Sequence, residues 1–192
     1  MLKIGVLALQ GAVAEHIRTI NKAGAEGVAV KKPQQLDELA GLIIPGGEST
    51  TIGKLMRLYH FIEPIQRKVA EESFPVFGTC AGMIILAKKI EGTEEPHLGL
   101  MNITVQRNAF GRQRESFETD LAIKDIAEDY RAVFIRAPLI TQVDDTVSVL
   151  AEHNGQIVAA QEKNLLAASF HPELTDDVRL HQHFIHMAQT YK

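Results

Sequence analysis

The chain has 192 residues, 45% of them hydrophobic, a single cysteine and a net charge of −4. This length and apolar share suit one compact domain with a real core, so residues 1–192 are expected to fold as a unit. The mildly acidic balance argues against nucleic acid as a partner; the lone cysteine excludes an internal disulfide and fits a reducing, cytoplasmic setting.

The N-terminal run Met1-Leu2-Lys3-Ile4-Gly5-Val6 is apolar but short, and polar residues soon follow. Neither a signal peptide nor a membrane span is expected from it. Leu2–Leu9 reads as a buried strand, and Ala12–Ala23 as a helix that ends at Gly24. Gly27–Lys31 follows as a short strand, Gln34–Leu39 as a short helix and Gly41–Pro45 as a third strand. Helices are predicted over Ser49–Leu58 and Ile62–Glu72, then a strand over Phe74–Gly78. Strand–helix alternation of this kind implies a parallel sheet covered by helices on both faces. In such sheets ligands bind beyond the carboxyl ends of the strands. Leu9-Gln10-Gly11, Pro45-Gly46-Gly47 and Cys80 all fall at such ends.

The second half changes character. Met101–Gln106, Glu118–Ile123, Ala132–Arg136 and Thr146–Ala151 are β-rich with little helix between them. Asn154-Gly155 separates two further β-rich runs, a strong hairpin signal. The expected fold is therefore α/β, a mostly parallel central sheet with helices on both faces plus an antiparallel β extension. Asn164–Ala168 is a small apolar strand, and Asp176–Tyr191 closes the chain as a helix with Thr175 as its N-cap.

The chemistry concentrates at Gly78-Thr79-Cys80-Ala81-Gly82, between an apolar strand and the helical run Met83–Ala87. The pattern has the form of a nucleophile elbow with Cys in place of Ser. Small residues are needed because larger side chains at the flanks of so sharp a turn would collide with strand and helix. The helix N-terminus suits an anionic sulfur, and its free N–H groups suit an oxyanion. The competing reading is a small buried cysteine in a helix-start turn.

A thiol nucleophile needs a base, and the base needs an orienting group. Ser169-Phe170-His171-Pro172-Glu173 supplies both types. Pro172 disfavours a helical His171, and in an extended segment residues two apart share a side. His171 and Glu173 are thus expected to project together, with one ring nitrogen on the carboxylate and the other facing Cys80.

These motifs resemble class I, triad-type glutamine amidotransferases. Leu9-Gln10-Gly11-Ala12, Pro45-Gly46-Gly47-Glu48-Ser49-Thr50, Arg107-Asn108-Ala109-Phe110-Gly111-Arg112, Phe134-Ile135-Arg136-Ala137-Pro138 and His171-Pro172-Glu173-Leu174-Thr175 narrow the resemblance. It is then to the glutaminase subunits of pyridoxal 5'-phosphate synthase, over essentially the whole chain. The resemblance implies hydrolysis of L-glutamine by Cys80, His171 and Glu173, with Gly47 and Ala81 supplying the oxyanion N–H groups. It implies that Gly47, Glu48, Ser49, Arg107, Ile135 and Arg136 line the glutamine site. It also implies a separate (β/α)-barrel synthase partner that receives the ammonia, in a hetero-oligomer of twelve copies of each chain. The triad chemistry calls for no metal or organic cofactor. Gln10, on the same sheet edge as Cys80, is a candidate partner contact able to fix the Gly46-Gly47 peptide.

Other readings compete at particular residues. The Pro45–Thr50 stretch fails the phosphate-loop pattern; it is either a plain turn with Ser49 or Thr50 capping a helix, or the oxyanion turn with Glu48 meeting an ammonium group, as the resemblance implies. Arg107 and Arg136 are ordinary surface arginines by position alone. His181, His183 and His186 mimic a metal cluster, but only His183 and His186 share a helix face, so a surface helix and no metal are expected. His16, His60, His97 and His153 show no partner in sequence. Rival functions are the glutaminase of another pathway, such as imidazole-glycerol-phosphate synthase, and a regulatory module that kept the fold without turnover.

Overall fold

The computed structural model describes residues 1–92, 95–110 and 116–191. Its first half alternates strand and helix: β1 (Lys3–Leu7), α1 (Val13–Lys22), β2 (Glu26–Val30), β3 (Gly41–Ile44), α2 (Ser49–Leu58), α3 (Ile62–Glu72), β4 (Val76–Thr79) and α4 (Ala81–Leu86). The second half is β-rich: β5 (Ala87–Ile90), β6 (Met101–Gln106), β7 (Ser116–Ile123), β8 (Ala127–Ile135), β9 (Leu139–Val143), β10 (Ser148–His153), β11 (Gln156–Glu162) and β12 (Leu165–Ala168), before α5 (Arg179–Thr190).

Among the described residues, ten strands form one sheet, ordered β2-β1-β3-β4-β12-β11-β9-β6-β5 with β10 beside β11; β7 and β8 pair separately. Neighbours from β2 to β12 run parallel. From β12 outward the pairing turns antiparallel through β11, β9 and β6. The parallel strands β3, β4 and β12 are buried at every position, as strands covered on both faces must be.

Alternation along these strands splits the core in two. Leu42, Ile44, Val76 and Ala167 face Ile52, Met56, Ile65 and Ile84 from α2, α3 and α4. Ile43, Phe77, Leu166 and Ala168 face Ile20, Leu180 and Phe184 from α1 and α5. Helices on both faces and an antiparallel extension are thus as the sequence predicts. The Asn154-Gly155 hairpin also forms, with both residues at positive φ (51° and 76°) and His153 opposite Gln156.

Several boundaries differ, each for a local reason. The short helix expected over Gln34–Leu39 is a 3₁₀ turn over Pro33–Glu38, started by the proline. Ala87 leaves the predicted helix and opens β5, pairing parallel with β6 at the far edge of the sheet. β9 carries no prediction; Leu139 and Ile140 are buried but Thr141 and Gln142 are exposed. Thr175 does not cap α5. Its hydroxyl accepts from Asp177 N–H, and Asp177 in turn accepts from Arg179 N–H at 3.0 Å. These short side-chain-to-backbone bonds compete with the helix and delay its start to Arg179. Gly111 and Arg112, part of the predicted Arg107–Arg112 stretch, lie outside the described residues.

The elbow is held by close backbone packing. A Cβ at Gly78 would stand 2.3 Å from the Gly82 carbonyl oxygen, and one at Gly82 would stand 2.0 Å from the carbonyl oxygen of Ile44. Both obstacles are backbone, so neither can rotate aside. Gly82→Ala is expected to lower stability by about 1–3 kcal/mol through overpacking of α4 on β3, read as a fall in the denaturant midpoint. An unchanged midpoint would contradict this close approach.

Candidate active site

Cys80 sits between β4 and α4 at φ 50°, ψ −109°. A non-glycine residue at positive φ is strained, and it persists only where its surroundings over-determine it. Here the glycine contacts fix the turn, and Cys80 N–H donates to the Ala168 carbonyl at 2.8 Å. β12 lies parallel to β4 with Ala168 opposite Thr79. The chain leaving β12 therefore emerges beside the elbow. His171 N–H donates to the Val133 carbonyl of β8 at 2.8 Å, which anchors the segment that carries the imidazole.

His171 Nδ1 lies 2.6 Å from Glu173 Oε1. The pair meets through a 3₁₀ turn over Pro172–Leu174 rather than through the extended segment predicted. Proline suits the first position of such a turn, and the turn folds Glu173 back beneath the ring. Cys80 is the second group that acts on this imidazole and, with Glu173, raises its pKa. The Cys80 sulfur also approaches the Ile135 carbonyl at 3.9 Å.

These groups floor a cleft of about 450 Å³. Gln10, Gly47, Glu48, Ser49, Cys80, Ala81, Arg107, Ile135, Arg136 and His171 all line it. Glu173, whose side chain is fully buried, is the one predicted site residue that stands behind the cleft instead. Ala81 opens α4, so its N–H has no carbonyl one turn earlier to bond within the helix. Arg136 lies at φ 42° and is exposed.

The turns at the ends of β1 and β3 interlock. Gly11 (φ 104°) packs so closely that a Cβ there would lie 2.0 Å from the Gly46 carbonyl oxygen, which accepts from Ala12 N–H at 3.1 Å. Gln10 Oε1 accepts from Glu48 N–H at 2.8 Å. A Cβ on Gly46 would meet His171 Cε1 at 2.6 Å. Glycine at 46 thus makes room for the imidazole.

Glu48, and neither Ser49 nor Thr50, is the N-cap of α2. Its carboxylate accepts from Thr50 and Thr51 N–H and from the Thr51 hydroxyl, and it pairs with Arg107 at 3.2 Å. The cation that meets Glu48 in this structure is therefore a guanidinium of the same chain. The hydrogen bond from the Thr51 side chain above all holds its pKa down to about 2, against the opposing effect of burial.

A model of the SNO glutamine amidotransferase family matches residues 6–190. The chain belongs to that family. A pyridoxal 5'-phosphate synthase subunit PdxT from Niallia circulans is 68% identical over 186 residues, 97% of each chain. Another, from Bacillus velezensis, is 58% identical over 192 residues, covering 100% of this chain and 97% of that one. A crystal structure of a glutamine amidotransferase superposes with a TM-score of 0.93 at 48% identity, covering 97% of this chain and 98% of that one. A putative GMP synthase subunit from Thermoplasma acidophilum has a TM-score of 0.72 at 19% identity, over 100% of this chain and 96% of that one, and shares the fold.

The site of this amidotransferase has a layer that its sequence does not announce. His16 from α1 and His181 from α5 are completely buried, with His16 Nδ1 2.9 Å from His181 Nε2. His16 Nε2 stands 3.1 Å from Thr79 Oγ1 and 3.4 Å from Glu173 Oε2. The expectation of a surface helix thus fails at His181. His183 is half-buried, 2.8 Å from Gln161, and His186 is exposed. One signal existed: His181 stands three residues before Phe184 and one after Leu180, within the apolar stripe of α5.

Burial acts to lower the His171 pKa, but hydrogen bonds to Cys80 and Glu173 outweigh it and raise the value to about 10. The folded chain binds this proton more tightly than the unfolded one. The pairing therefore stabilises the fold fully below the ordinary value of 6.5 and is lost as pH rises through about 10. A nitrogen-15 NMR titration should find His171 still protonated through neutral pH, and Cys80→Ala should lower its midpoint by removing one partner. A midpoint near 6.5 in the wild-type chain would contradict the pairing.

Proposed function

We propose that the chain is the glutaminase subunit of a pyridoxal 5'-phosphate synthase, cleaving L-glutamine to L-glutamate and passing ammonia to a separate synthase subunit. The observation that carries this reading is Cys80 and His171 together at the floor of one cleft, with Glu173 buried behind the imidazole and bonded to it. The PdxT relatives, aligned along nearly their full length, supply the pathway.

In the proposed mechanism the Cys80 thiolate attacks the side-chain amide carbon of glutamine, and the carbonyl oxygen becomes an oxyanion. The N–H groups of Gly47 and Ala81 stabilise that charge. His171 gives its proton to the departing nitrogen, and ammonia leaves as the C–N bond breaks. A glutamyl thioester remains on Cys80. His171, now neutral, takes a proton from water, whose oxygen attacks the thioester; collapse releases glutamate and restores the thiolate. Glu173 keeps the imidazole oriented and favours its charged form. Glu48, Ser49, Arg107, Ile135 and Arg136, ranged around the cleft, are assigned to glutamine binding. The paired Glu48 and Arg107 present opposite charges suited to the ammonium and carboxylate of an amino acid.

The ammonia acceptor site is assigned to the partner, in an assembly of twelve copies of each chain, as family resemblance implies. A cytoplasmic setting is supported by the free cysteine. Among the described residues no helix is long and apolar enough to cross a membrane.

Cys80→Ala is expected to abolish glutamate release by the mixed subunits while leaving the fold and partner binding intact, since one small side chain replaces another. A glutamine-derived electrophile should label Cys80 in the wild type. Turnover near wild type in the variant would refute the nucleophile assignment.

Coupling to the acceptor is assigned to the interlocked turns. The synthase subunit docks over the edge carrying Gln10, and the Gly46-Gly47 peptide is fixed with its N–H toward the oxyanion. Glutamate release should then rise when the partner is added, and Gln10→Ala, which frees Glu48 N–H, should blunt that rise. Full activity of the isolated chain would refute the coupling; an unaffected Gln10→Ala complex would remove Gln10 from it.

A further inference from the structure

Glu173 has two carboxylate oxygens, and the triad uses one. Oε1 accepts from His171. Oε2 is buried, and among the described residues no hydrogen bond of normal length reaches it. A buried carboxylate oxygen without a donor is costly. The group that faces it is Nε2 of His16, 3.4 Å away, just beyond a normal hydrogen bond.

The ring protons decide what His16 does there. Burial first, then the neighbouring His181 and His171, holds the His16 pKa well below its ordinary value. Burial lowers that of His181 to about 3. Both rings are therefore neutral at neutral pH, with one N–H each. Two arrangements satisfy the 2.9 Å contact between His16 Nδ1 and His181 Nε2. In the first, His181 donates from Nε2 to His16 Nδ1, and His16 carries its proton on Nε2, directed at Thr79 Oγ1 and Glu173 Oε2. In the second, His16 donates from Nδ1; its Nε2 lone pair then opposes the carboxylate. The His181 proton would move to Nδ1, a buried atom with no partner among the described residues. The second arrangement combines a lone-pair repulsion with a stranded donor. The first leaves only an unused acceptor, and it is favoured.

We propose that His16 is a positioning residue of the glutaminase: its Nε2–H holds the outer oxygen of Glu173, and His181 fixes the tautomer that places the proton there. Glu173 then receives an N–H on each oxygen, from His171 on one side and His16 on the other. The carboxylate plane is held by α1 as well as by its own three-residue 3₁₀ turn. Because the same Nε2 touches Thr79, the residue before the nucleophile, His16 ties the orienting carboxylate to the elbow. Two neutral imidazoles do this without burying further charge.

This inference rests on the glutaminase reading, and its test keeps the two apart. Glutamate release is measured for the complex of this chain with its synthase subunit, in wild type, His16→Leu and His16→Gln. Leucine removes the donor at similar volume; glutamine returns an N–H at the reach of Nε2. Expected is a wild-type complex that turns over, a His16→Leu complex with kcat lowered about 10- to 100-fold at unchanged KM, and recovery of most of that loss in His16→Gln. An inactive wild-type complex would overturn the glutaminase reading and this inference with it. With an active wild type, an unchanged kcat in His16→Leu, or equal losses in both variants, would overturn the positioning role alone. Should His16→Leu not fold, nitrogen-15 NMR of the wild-type chain decides: a proton on Nε2 of both His16 and His181 supports the proposal, and a proton on Nδ1 of His16 overturns it.

Discussion

The parallel pairing of β4 with β12 is the constraint on which the site depends. It sets Ala168 opposite Thr79, so one strand ends one residue before the thiol and its neighbour ends three residues before the imidazole. Backbone hydrogen bonds, Cys80 N–H to Ala168 and His171 N–H to Val133, then fix both segments without using the reactive side chains. Strain at Cys80 is tolerated because the turn around it has no alternative packing: Gly78 and Gly82 bring backbone against backbone at distances no Cβ would allow.

Around that pairing, the ends of β1 and β3 form a second rigid layer. The Gly11, Gly46 and Gly47 backbones pack against one another and against His171, while the Gln10 side chain holds Glu48 N–H. Peptide dipoles at this edge of the cleft are thereby held in fixed orientations. Glu48 contributes twice, as the cap of α2 and as the partner of Arg107. Beneath the site, on the opposite side of the elbow from the cleft, His16 and His181 join α1 and α5 to Thr79 and Glu173. The polar groups around Cys80 thus fall in two layers, one open to the cleft and a dry one set in the core shared by α1 and α5.

Much of this was legible in the residue order. Continuous apolar runs such as Leu42-Ile43-Ile44 mark strands buried on both faces, and glycine before and after Cys80 marks a turn too tight for side chains. The hairpin at Asn154-Gly155 needed only the tolerance of those residues for positive φ. Less legible were the edge strand Ala87–Ile90 and the interior strand Leu139–Val143, because strands with exposed residues lack a full apolar pattern. Thr175 misled as a cap, since nearby Asp177 offers the backbone a competing bond.

By itself, the sequence determined the local features: which turn carries the thiol, which segment carries imidazole and carboxylate, and that the strands leading into them are buried. These follow from short-range sterics and from side-chain periodicity. Only the tertiary structure decided the partners. Glu48, read as the partner of an ammonium group, became a helix cap paired with Arg107, and the His171–Glu173 contact arose from a 3₁₀ turn instead of an extended segment. His16 and His181, separated by 165 positions, met in the core. No spacing rule reaches across such a distance, because the contact is made by two helices packing on one face of a sheet whose strand order the residue pattern leaves open.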